Sequence, residues 1–210
     1  MTTKILLGLP PETDQIKRAA EVVSAGGLVA YPTDTLYALG VDPRRDEAVA
    51  NLCAIKERGV GAGLPLIAAS VDQVERCLGP LSTLGRKLAA AWWPGPLTLV
   101  FAPTVMLPDA VHASDGSLAV RVPARMAARM LAAEAGHPLT STSANRRGAA
   151  PAPDAETVRS ELGPAVQLVL EDQRSLEGAP STIVDVRREA PRLLRAGSVP
   201  WEHVLQSTRV

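Results

Sequence analysis

A run of four hydroxyls and one amide, Thr140-Ser141-Thr142-Ser143-Ala144-Asn145, directly follows the apolar pair Pro138-Leu139. Such a run is poor core material, because a buried hydroxyl or amide without a partner costs about 1–3 kcal/mol. It suits the binding of a polar ligand, since small side chains let backbone N–H groups come close to a phosphate or carboxylate. A Ser/Thr turn that satisfies its own backbone would account for the same residues.

Two further segments place polar or cationic groups at the ends of predicted elements. Tyr31-Pro32-Thr33-Asp34-Thr35-Leu36-Tyr37 is dense in hydrogen-bonding groups and follows a predicted buried strand. Lys56-Glu57-Arg58 precedes the glycine-rich Gly59-Val60-Gly61-Ala62-Gly63. Two cations beside a flexible loop could clamp phosphate oxygens, the arginine as a fork and the lysine as a point charge. The alternative is that they complement the negative end of a helix dipole.

Arg121 is a cation inside the apolar strand pattern Ala119-Val120-Arg121-Val122-Pro123. A buried arginine needs an anionic partner, and no carboxylate neighbours it in sequence. A bound carboxylate or phosphate would serve, and so would a distant Asp or Glu of the same chain. Arg195 stands in a similar setting, Leu193-Leu194-Arg195-Ala196-Gly197.

The sequence contains none of the usual sets of catalytic nucleophile and base. No serine lies in a GxSxG elbow, neither cysteine has a nearby base, and no paired acids stand out. The three histidines have no ligand spacing, so we expect no metal site built by the protein. Any chemistry would then depend on positioning and on charge stabilisation.

The elements that must position these groups follow from hydrophobic periodicity. Helices are predicted at 14–25, 46–58, 71–78, 81–92, 124–135 and around 201–206. Strands are predicted at 28–31, 64–69, 97–101, 118–122, 167–170, 182–186 and 193–194. This order predicts an α/β (α+β) fold with one twisted, mixed parallel and antiparallel sheet flanked by helices. Residues 149–153 are the one linker-like stretch and are too short to separate domains, so we expect a single domain over 1–210.

Composition excludes several classes of protein. The 22 basic residues balance the 22 acidic ones, which argues against a protein that mainly coats nucleic acid. No run of 18 apolar residues exists, and the N-terminus lacks the pattern of a signal peptide. We therefore expect a cytoplasmic protein that does not contact a membrane.

Eight short motifs occur in the order found in the YrdC domain family, over about residues 14–200. They are Tyr31-Pro32-Thr33-Asp34-Thr35, Lys56-x-Arg58, Pro65-Leu66, Trp93-Pro94-Gly95-Pro96-Leu97-Thr98, Arg121-Val122-Pro123, Ser143-Ala144-Asn145, Ser181-Thr182-Ile183-Val184-Asp185 and Leu194-Arg195-x-Gly197. Each motif is weak alone, but eight in register are specific. The chain resembles the threonylcarbamoyl-AMP synthases of this family, in their single-domain form.

The resemblance implies an open basic cavity and the ATP-dependent synthesis of L-threonylcarbamoyladenylate from L-threonine, bicarbonate and ATP. This is a step of tRNA threonylcarbamoyladenosine modification. The resemblance implies catalytic roles for Lys56 and Arg58. It implies ATP binding by Lys56, Arg58, Ser117, Ser143, Asn145 and Arg195, and threonine binding by Thr33, Thr35, Arg121, Ser141 and Ser181. Mg²⁺ would be carried by the ATP phosphates, and threonylcarbamoyl-transfer proteins would act downstream.

The sequence departs from the family pattern at several positions. Gly59 stands where a proline usually follows the Lys-x-Arg motif, and the loop to Pro65 is about two residues longer. Ala38, Ala68 and Ala69, and Arg147 also differ from the usual residues. The alternative hypothesis is therefore a paralogue without synthase activity, which would bind double-stranded RNA, tRNA or the ribosome.

Overall fold

The computed structural model describes residues 13–209, apart from 35, 58, 60 and 172–178. The helices of the described residues are α1 (Thr13–Ser24), α2 (Asp46–Ile55), α3 (Val71–Leu78), α4 (Thr83–Trp92), α5 (Met126–Glu134), α6 (Ala155–Leu162) and α7 (Trp201–Ser207). The strands are β1 (Val29–Pro32), β2 (Tyr37–Gly40), β3 (Leu66–Ile67), β4 (Leu97–Phe101), β5 (Leu118–Arg121), β6 (Leu139–Thr140), β7 (Thr142–Ser143), β8 (Leu168–Val169), β9 (Thr182–Asp185) and β10 (Arg192–Arg195). Helices and strands thus alternate along most of the described chain.

The strands form two hydrogen-bonded sheets, ordered β7-β2-β1-β8 and β10-β9-β4-β5-β3-β6. In the first sheet β1 pairs antiparallel with β2 and parallel with β8. In the second sheet β4 pairs antiparallel with β5 and parallel with β9. The mixed α/β fold is confirmed, but the strands divide into two sheets where the sequence predicts one.

The chain passes from one sheet to the other at Ser141, inside the hydroxyl-rich run. β6 ends at Thr140 and pairs with β3, whereas β7 begins at Thr142 and pairs with β2. The Thr140 hydroxyl accepts a hydrogen bond from Val41 N at 2.9 Å, and its carbonyl accepts one from the Tyr31 hydroxyl at 2.7 Å. These partners lie on the neighbouring strand segments, so this run is not a turn that satisfies only its own backbone.

The two faces of the strands pack into two different cores. In the β1 region, Val29 and Tyr31 face a core built with α1 and α5, whereas Leu28 and Ala30 face the larger second core. This division follows from the alternation of side chains along a strand. Because both faces are buried, β1 consists of buried residues throughout, as in strands covered on both sides.

Local sequence signals set several helix ends. Ser70 and Ser82 cap α3 and α4 by accepting from Gln73 N at 3.1 Å and Gly85 N at 3.0 Å. A serine in this position satisfies one of the unpaired N–H groups at a helix start. α1 presents its apolar positions on one face, with four of them buried, and the chain then turns at Gly26 with φ of +89°.

Most predicted elements are present. β2, β6, β7 and α6 lie outside the predicted helices and strands, and α2 ends at Ile55 rather than at residue 58. The stretch 149–153 does not behave as a linker, since Ala152 is fully buried and its N–H bonds the Ala144 carbonyl at 3.1 Å. Within the described ranges, no helix has the length and apolar character needed to cross a bilayer.

Candidate active site

Seven of the residues predicted to bind ligands line one cavity of about 780 Å³. They are Thr33, Ser117, Arg121, Ser141, Ser143, Ser181 and Arg195. They come from segments as distant as the end of β1 and the end of β10. A volume of this size falls in the range of small-molecule and cofactor sites. Thr35 and Arg58 lie outside the described residues.

Arg121 stands at the end of β5 and is almost fully buried. Its Nη1 lies 3.0 Å from Oδ1 of Asp34, in side chains that are 8% and 15% exposed. Burial lowers the pKa of Arg121, and the negative charge of Asp34 opposes this shift. The chain itself therefore supplies an anionic partner, which sequence separation had concealed. Burial also raises the pKa of the Tyr31 phenol, which the Arg121 charge partly opposes.

Arg195 also lines the cavity and contacts the segment before β9. Its Nη2 donates to the Ser181 carbonyl at 2.8 Å and to the Ser181 hydroxyl at 3.2 Å. The Ser181 hydroxyl is also 2.8 Å from that of Thr98. Burial and the charge of Arg121 both lower the pKa of Arg195. The two guanidinium groups are thus close enough to repel each other, which makes the space beside them favourable for an anion.

Gly197 allows this wall to form. A Cβ at this position would lie 2.2 Å from the Pro180 carbonyl oxygen and 2.5 Å from the Ser181 carbonyl carbon. Such distances are far below van der Waals contact, so only glycine lets the segment after β10 pass the Pro180-Ser181 backbone. In the Leu194-Arg195-x-Gly197 motif, Arg195 therefore contacts Ser181 through its side chain, and Gly197 leaves room for the Pro180-Ser181 backbone.

Lys56 and Asn145 lie next to the cavity wall and contact one another. Lys56 Nζ donates to the Ser143 carbonyl at 2.8 Å, the Asn145 carbonyl at 2.6 Å and Asn145 Oδ1 at 2.7 Å. An ammonium has three donors, and these contacts can use all of them. Lys56 thus ties the end of α2 to the segment after β7, in addition to any charge it offers a ligand. Arg147 adds a second tie, through Nη1 to the Glu57 carbonyl at 3.0 Å.

Thr33 closes a tight turn at the end of β1. Its hydroxyl donates to the Leu36 carbonyl at 2.6 Å, and its backbone N–H donates to the same oxygen at 3.0 Å. The turn places Asp34 beside Arg121 and keeps Thr33 on the cavity wall. The polar segment that the sequence singles out is therefore built into the cavity.

The glycine-rich loop crosses to the segment before β5. The Gly61 carbonyl accepts from Ser114 N at 3.0 Å, and Ala62 forms an isolated bridge with Ala113. Gly63 has φ of +61°, and a Cβ there would lie 3.0 Å from Ala113 N. Ala62, Gly63, Ala113 and Ser114 all line the cavity. The glycines thus let two backbone segments approach closely enough to form one rim.

A charged network that sequence reasoning missed borders this rim. Arg187 donates to both carboxylate oxygens of Asp185, at 3.0 and 2.8 Å, and lies 2.7 Å from Oδ2 of Asp115. Asp115 in turn accepts from the hydroxyl and the N–H of Ser117, at 2.6 and 3.1 Å. The Asp-x-Arg spacing is the sequence signal that could have found this network. Asp42-x-Arg44 has the same spacing and forms the same bidentate ion pair elsewhere in the fold.

The described part of the cavity can bind and orient anions. Its wall carries the guanidinium groups of Arg121 and Arg195 and the hydroxyls of Thr33, Ser117, Ser141, Ser143 and Ser181. The hydroxyls of Thr33 and Ser143 already donate to internal oxygens, so the attraction for an anion comes from the guanidinium groups. In the part of the chain that the structure describes, no three His, Cys, Asp or Glu side chains are grouped so that they could hold a metal ion. Charge neutralisation and positioning are therefore the contributions that these residues offer.

Comparison with known proteins places the cavity in a family context. The Sua5/YciO/YrdC family model, described as "Telomere recombination", matches residues 21–197. A Chromohalobacter salexigens protein named threonylcarbamoyl-AMP synthase is 41% identical over 174 residues, which cover 83% of this chain and 94% of that protein. The motifs therefore lie within one region of similarity that spans most of both chains.

Solved structures show the same fold. The structure of P. abyssi Sua5 complexed with L-threonine superposes with a TM-score of 0.87 at 30% identity, over 93% of this chain and 58% of that one. E. coli YciO superposes with a TM-score of 0.81 at 26% identity, over 90% of this chain and 92% of that one. The present chain thus spans a little over half the length of the P. abyssi protein and nearly all of YciO.

Proposed function

Since the chain belongs to the Sua5/YciO/YrdC family, we propose that it condenses L-threonine, bicarbonate and ATP into L-threonylcarbamoyladenylate, with release of pyrophosphate. The observation that carries this proposal is the convergence of Arg121, Arg195 and five predicted hydroxyl side chains on one cavity. Such a wall suits a carboxylate and a polyphosphate bound side by side. The P. abyssi relative that was crystallised with L-threonine has the same fold and is 30% identical to this chain over the aligned region.

The reaction needs no nucleophile from the protein. The amine of threonine attacks CO₂ derived from bicarbonate, which forms a carbamate and releases a proton. A carbamate oxygen then attacks the α-phosphorus of ATP, and the bond to the β-phosphate oxygen breaks as pyrophosphate leaves. Overall, threonine, bicarbonate and ATP become threonylcarbamoyladenylate, pyrophosphate and water. Orientation of the two substrates and neutralisation of phosphate charge are therefore sufficient roles for the protein.

Threonine is assigned to the side of the cavity near Arg121. Its carboxylate would accept from the Arg121 guanidinium, whose ion pair with Asp34 already holds it in place. Thr33, Thr35, Ser141 and Ser181 would supply the remaining polar contacts. Asp34 already supplies a counter-charge and offsets part of the cost of burying Arg121. This arginine therefore has a counter-charge before substrate binds.

ATP is assigned to the neighbouring part of the cavity. Arg195 and Arg58 would contact the phosphates, and Lys56 would share its charge between them and the Ser143 and Asn145 oxygens that it binds. Ser117, Ser143 and Asn145 would contribute hydrogen bonds. Mg²⁺ would arrive on the phosphates, which is the usual mode for a cation that keeps several waters.

The alternative of a non-enzymatic RNA-binding paralogue has less support. The Chromohalobacter salexigens relative, which is matched over 94% of its length, is named threonylcarbamoyl-AMP synthase. The balanced net charge also weakens the case for RNA binding. We place the activity in the cytoplasm, where threonylcarbamoyl-transfer proteins would pass the product to tRNA, and any direct contact with tRNA would be secondary.

The test is chromatographic detection of the product. Purified protein would be incubated with ATP, Mg²⁺, L-threonine and ¹⁴C-bicarbonate, and threonylcarbamoyladenylate would be separated by HPLC with pyrophosphate measured in parallel. We expect label in the nucleotide fraction and an equal amount of pyrophosphate. Omission of threonine should abolish both signals. ATP cleavage that does not depend on threonine, or no cleavage at all, would contradict the proposed reaction.

A further inference from the structure

The hydroxyl of Ser117 lies on the cavity wall with its proton already committed. Its Oγ is 2.6 Å from Oδ1 of Asp115, and its N–H donates to the same oxygen at 3.1 Å. An ionised carboxylate can only accept, so the serine is the donor. A separation of 2.6 Å is typical of a charge-assisted O–H···O⁻ hydrogen bond. Ser117 therefore presents lone pairs, and no proton, to any ligand.

Asp115 is in the ionised state that this orientation requires, and Arg187 occupies its second oxygen. Its Nη1 lies 2.7 Å from the second oxygen of Asp115, and its other nitrogens bind both oxygens of Asp185. The hydrogen bonds from Ser117 and from Arg187 lower the pKa of Asp115 to about 2. Asp115 is thus a carboxylate at any working pH, and its two oxygens are divided between Ser117 and Arg187.

This arrangement limits what Ser117 can recognise. Phosphate oxygens are acceptors, so a hydroxyl without an available proton cannot bind them. The donors that ATP offers are the ribose hydroxyls and the 6-amino group of adenine. We infer that Ser117 is a specificity-determining residue that accepts a hydrogen bond from one of these nucleoside donors; this inference rests on the proposed function. Asp115 and Arg187 are positioning residues that keep the Ser117 lone pairs directed into the cavity.

The surrounding backbone supports a fixed Ser117. The segment before it is bound to the glycine-rich loop through Ser114 N and the Gly61 carbonyl at 3.0 Å. The Ala113 N–H donates to the Ser117 carbonyl at 3.0 Å, and Ser117 is only 5% exposed. These contacts fix the backbone of Ser117 beside Asp115, and the 2.6 Å bond to Asp115 Oδ1 sets the direction of the hydroxyl proton.

The experiment compares four nucleotides by calorimetry in the absence of threonine. ATP would be titrated beside 2′-deoxy-ATP, 3′-deoxy-ATP and purine riboside triphosphate, which each lack one donor. Wild-type protein should bind one of the three about tenfold more weakly than ATP. Ser117→Ala should bind ATP and that analogue equally. Its affinity for inorganic tripolyphosphate should equal that of the wild type, because Ser117 does not contact phosphate.

The positioning residues are tested by the same ratio of affinities. Asp115→Asn and Arg187→Gln should each reduce the discrimination between ATP and the weak analogue by at least about threefold. Arg44→Gln is the matched control, since it removes an equivalent pair with Asp42 away from the cavity lining, and it should keep the wild-type ratio. A general structural defect would weaken all nucleotides alike and leave the ratio unchanged.

Four other results would contradict the roles given to Ser117, Asp115 and Arg187. Equal wild-type binding of all four nucleotides, or an unchanged ratio in Ser117→Ala, would overturn the role of Ser117. Loss of tripolyphosphate binding in Ser117→Ala would instead assign it to the phosphates. Wild-type ratios in Asp115→Asn and Arg187→Gln would overturn their positioning role. If the protein binds ATP more tightly than the analogue but forms no threonylcarbamoyladenylate, the proposed reaction is refuted and the role of Ser117 is not. If the protein does not bind ATP, both are refuted.

Discussion

Removal of Arg121 should separate two contributions that this residue makes, one to stability and one to threonine binding. Arg121→Met leaves the carboxylate of Asp34 buried without its 3.0 Å counter-ion. The substitution keeps much of the apolar length of the side chain, so the lost charge dominates the effect. Asp34→Asn removes the other half of the pair and leaves the guanidinium in place. The double variant removes both charges.

The magnitude follows from the burial of the pair. The two side chains are 8% and 15% exposed, and loss of one partner of a buried ion pair costs about 3–5 kcal/mol. For a domain of this size about 1 kcal/mol shifts the melting temperature by about 2–4 °C, so Arg121→Met should melt about 6–20 °C earlier. A lost contact to the threonine carboxylate should raise the threonine Kd about tenfold to a hundredfold.

The assay is a double-mutant cycle measured by thermal unfolding and by calorimetric titration with threonine in the presence of ATP. The Arg121→Met/Asp34→Asn variant should recover at least about 1 kcal/mol relative to the sum of the single variants, because no unpaired charge remains. Threonine binding should not recover in the double variant. Arg76→Met is the control, since Arg76 forms an exposed pair with Asp72, and it should cost less than about 1 kcal/mol.

Two results would refute this reasoning. Additive effects of the two single substitutions, within about 0.5 kcal/mol, would show that Asp34 and Arg121 do not stabilise one another. An Arg121→Met protein with wild-type affinity for threonine would show that the guanidinium serves only the internal ion pair.

Three further predictions concern neighbouring parts of the site. Lys56→Ala should lower turnover at least about tenfold and also lower the melting temperature, because Nζ holds three oxygens of Ser143 and Asn145; a protein with wild-type turnover would exclude a role in the reaction. Mg²⁺ should bind only together with ATP, as measured by calorimetry with and without nucleotide, and tight binding to the nucleotide-free protein would contradict this. Gly197→Ala should destabilise the protein by about 1–3 kcal/mol in thermal unfolding, since the new Cβ meets the Pro180 carbonyl at 2.2 Å. Gly59→Ala, with no atom within 4 Å of its Cβ, is the matched control and should change stability by less than about 0.5 kcal/mol.

The elements and the motifs were predictable because their signals are local. α1 follows from apolar residues at helical spacing and ends near a glycine that adopts φ of +89°. α3 and α4 begin at serine caps that are visible in the sequence. The motif residues were chosen from local signals of the same kind, and seven of the predicted binding residues line one cavity.

Short or unusual elements were not predictable from the same signals. β6 and β7 contain two residues each, which is too few to show alternation, and their polar composition resembles that of a turn. The chain passes between the two sheets at several points, among them Ser141 between β6 and β7, and no local pattern encodes these passages. α6 begins at an Asp154 cap but follows a Pro/Ala stretch, 149–153, whose composition is typical of a linker.

The sequence by itself thus determined which residues could bind an anionic, polar substrate, because residue type and spacing along one chain are enough to define a motif. Only the tertiary structure decided their partners. Arg121 meets Asp34 across 87 positions, Lys56 meets Asn145 across 89, and Arg187 meets Asp115 across 72. These contacts depend on which strands lie side by side, and that order is set by packing of the whole chain, so the charge balance of the cavity appears only when the fold is complete.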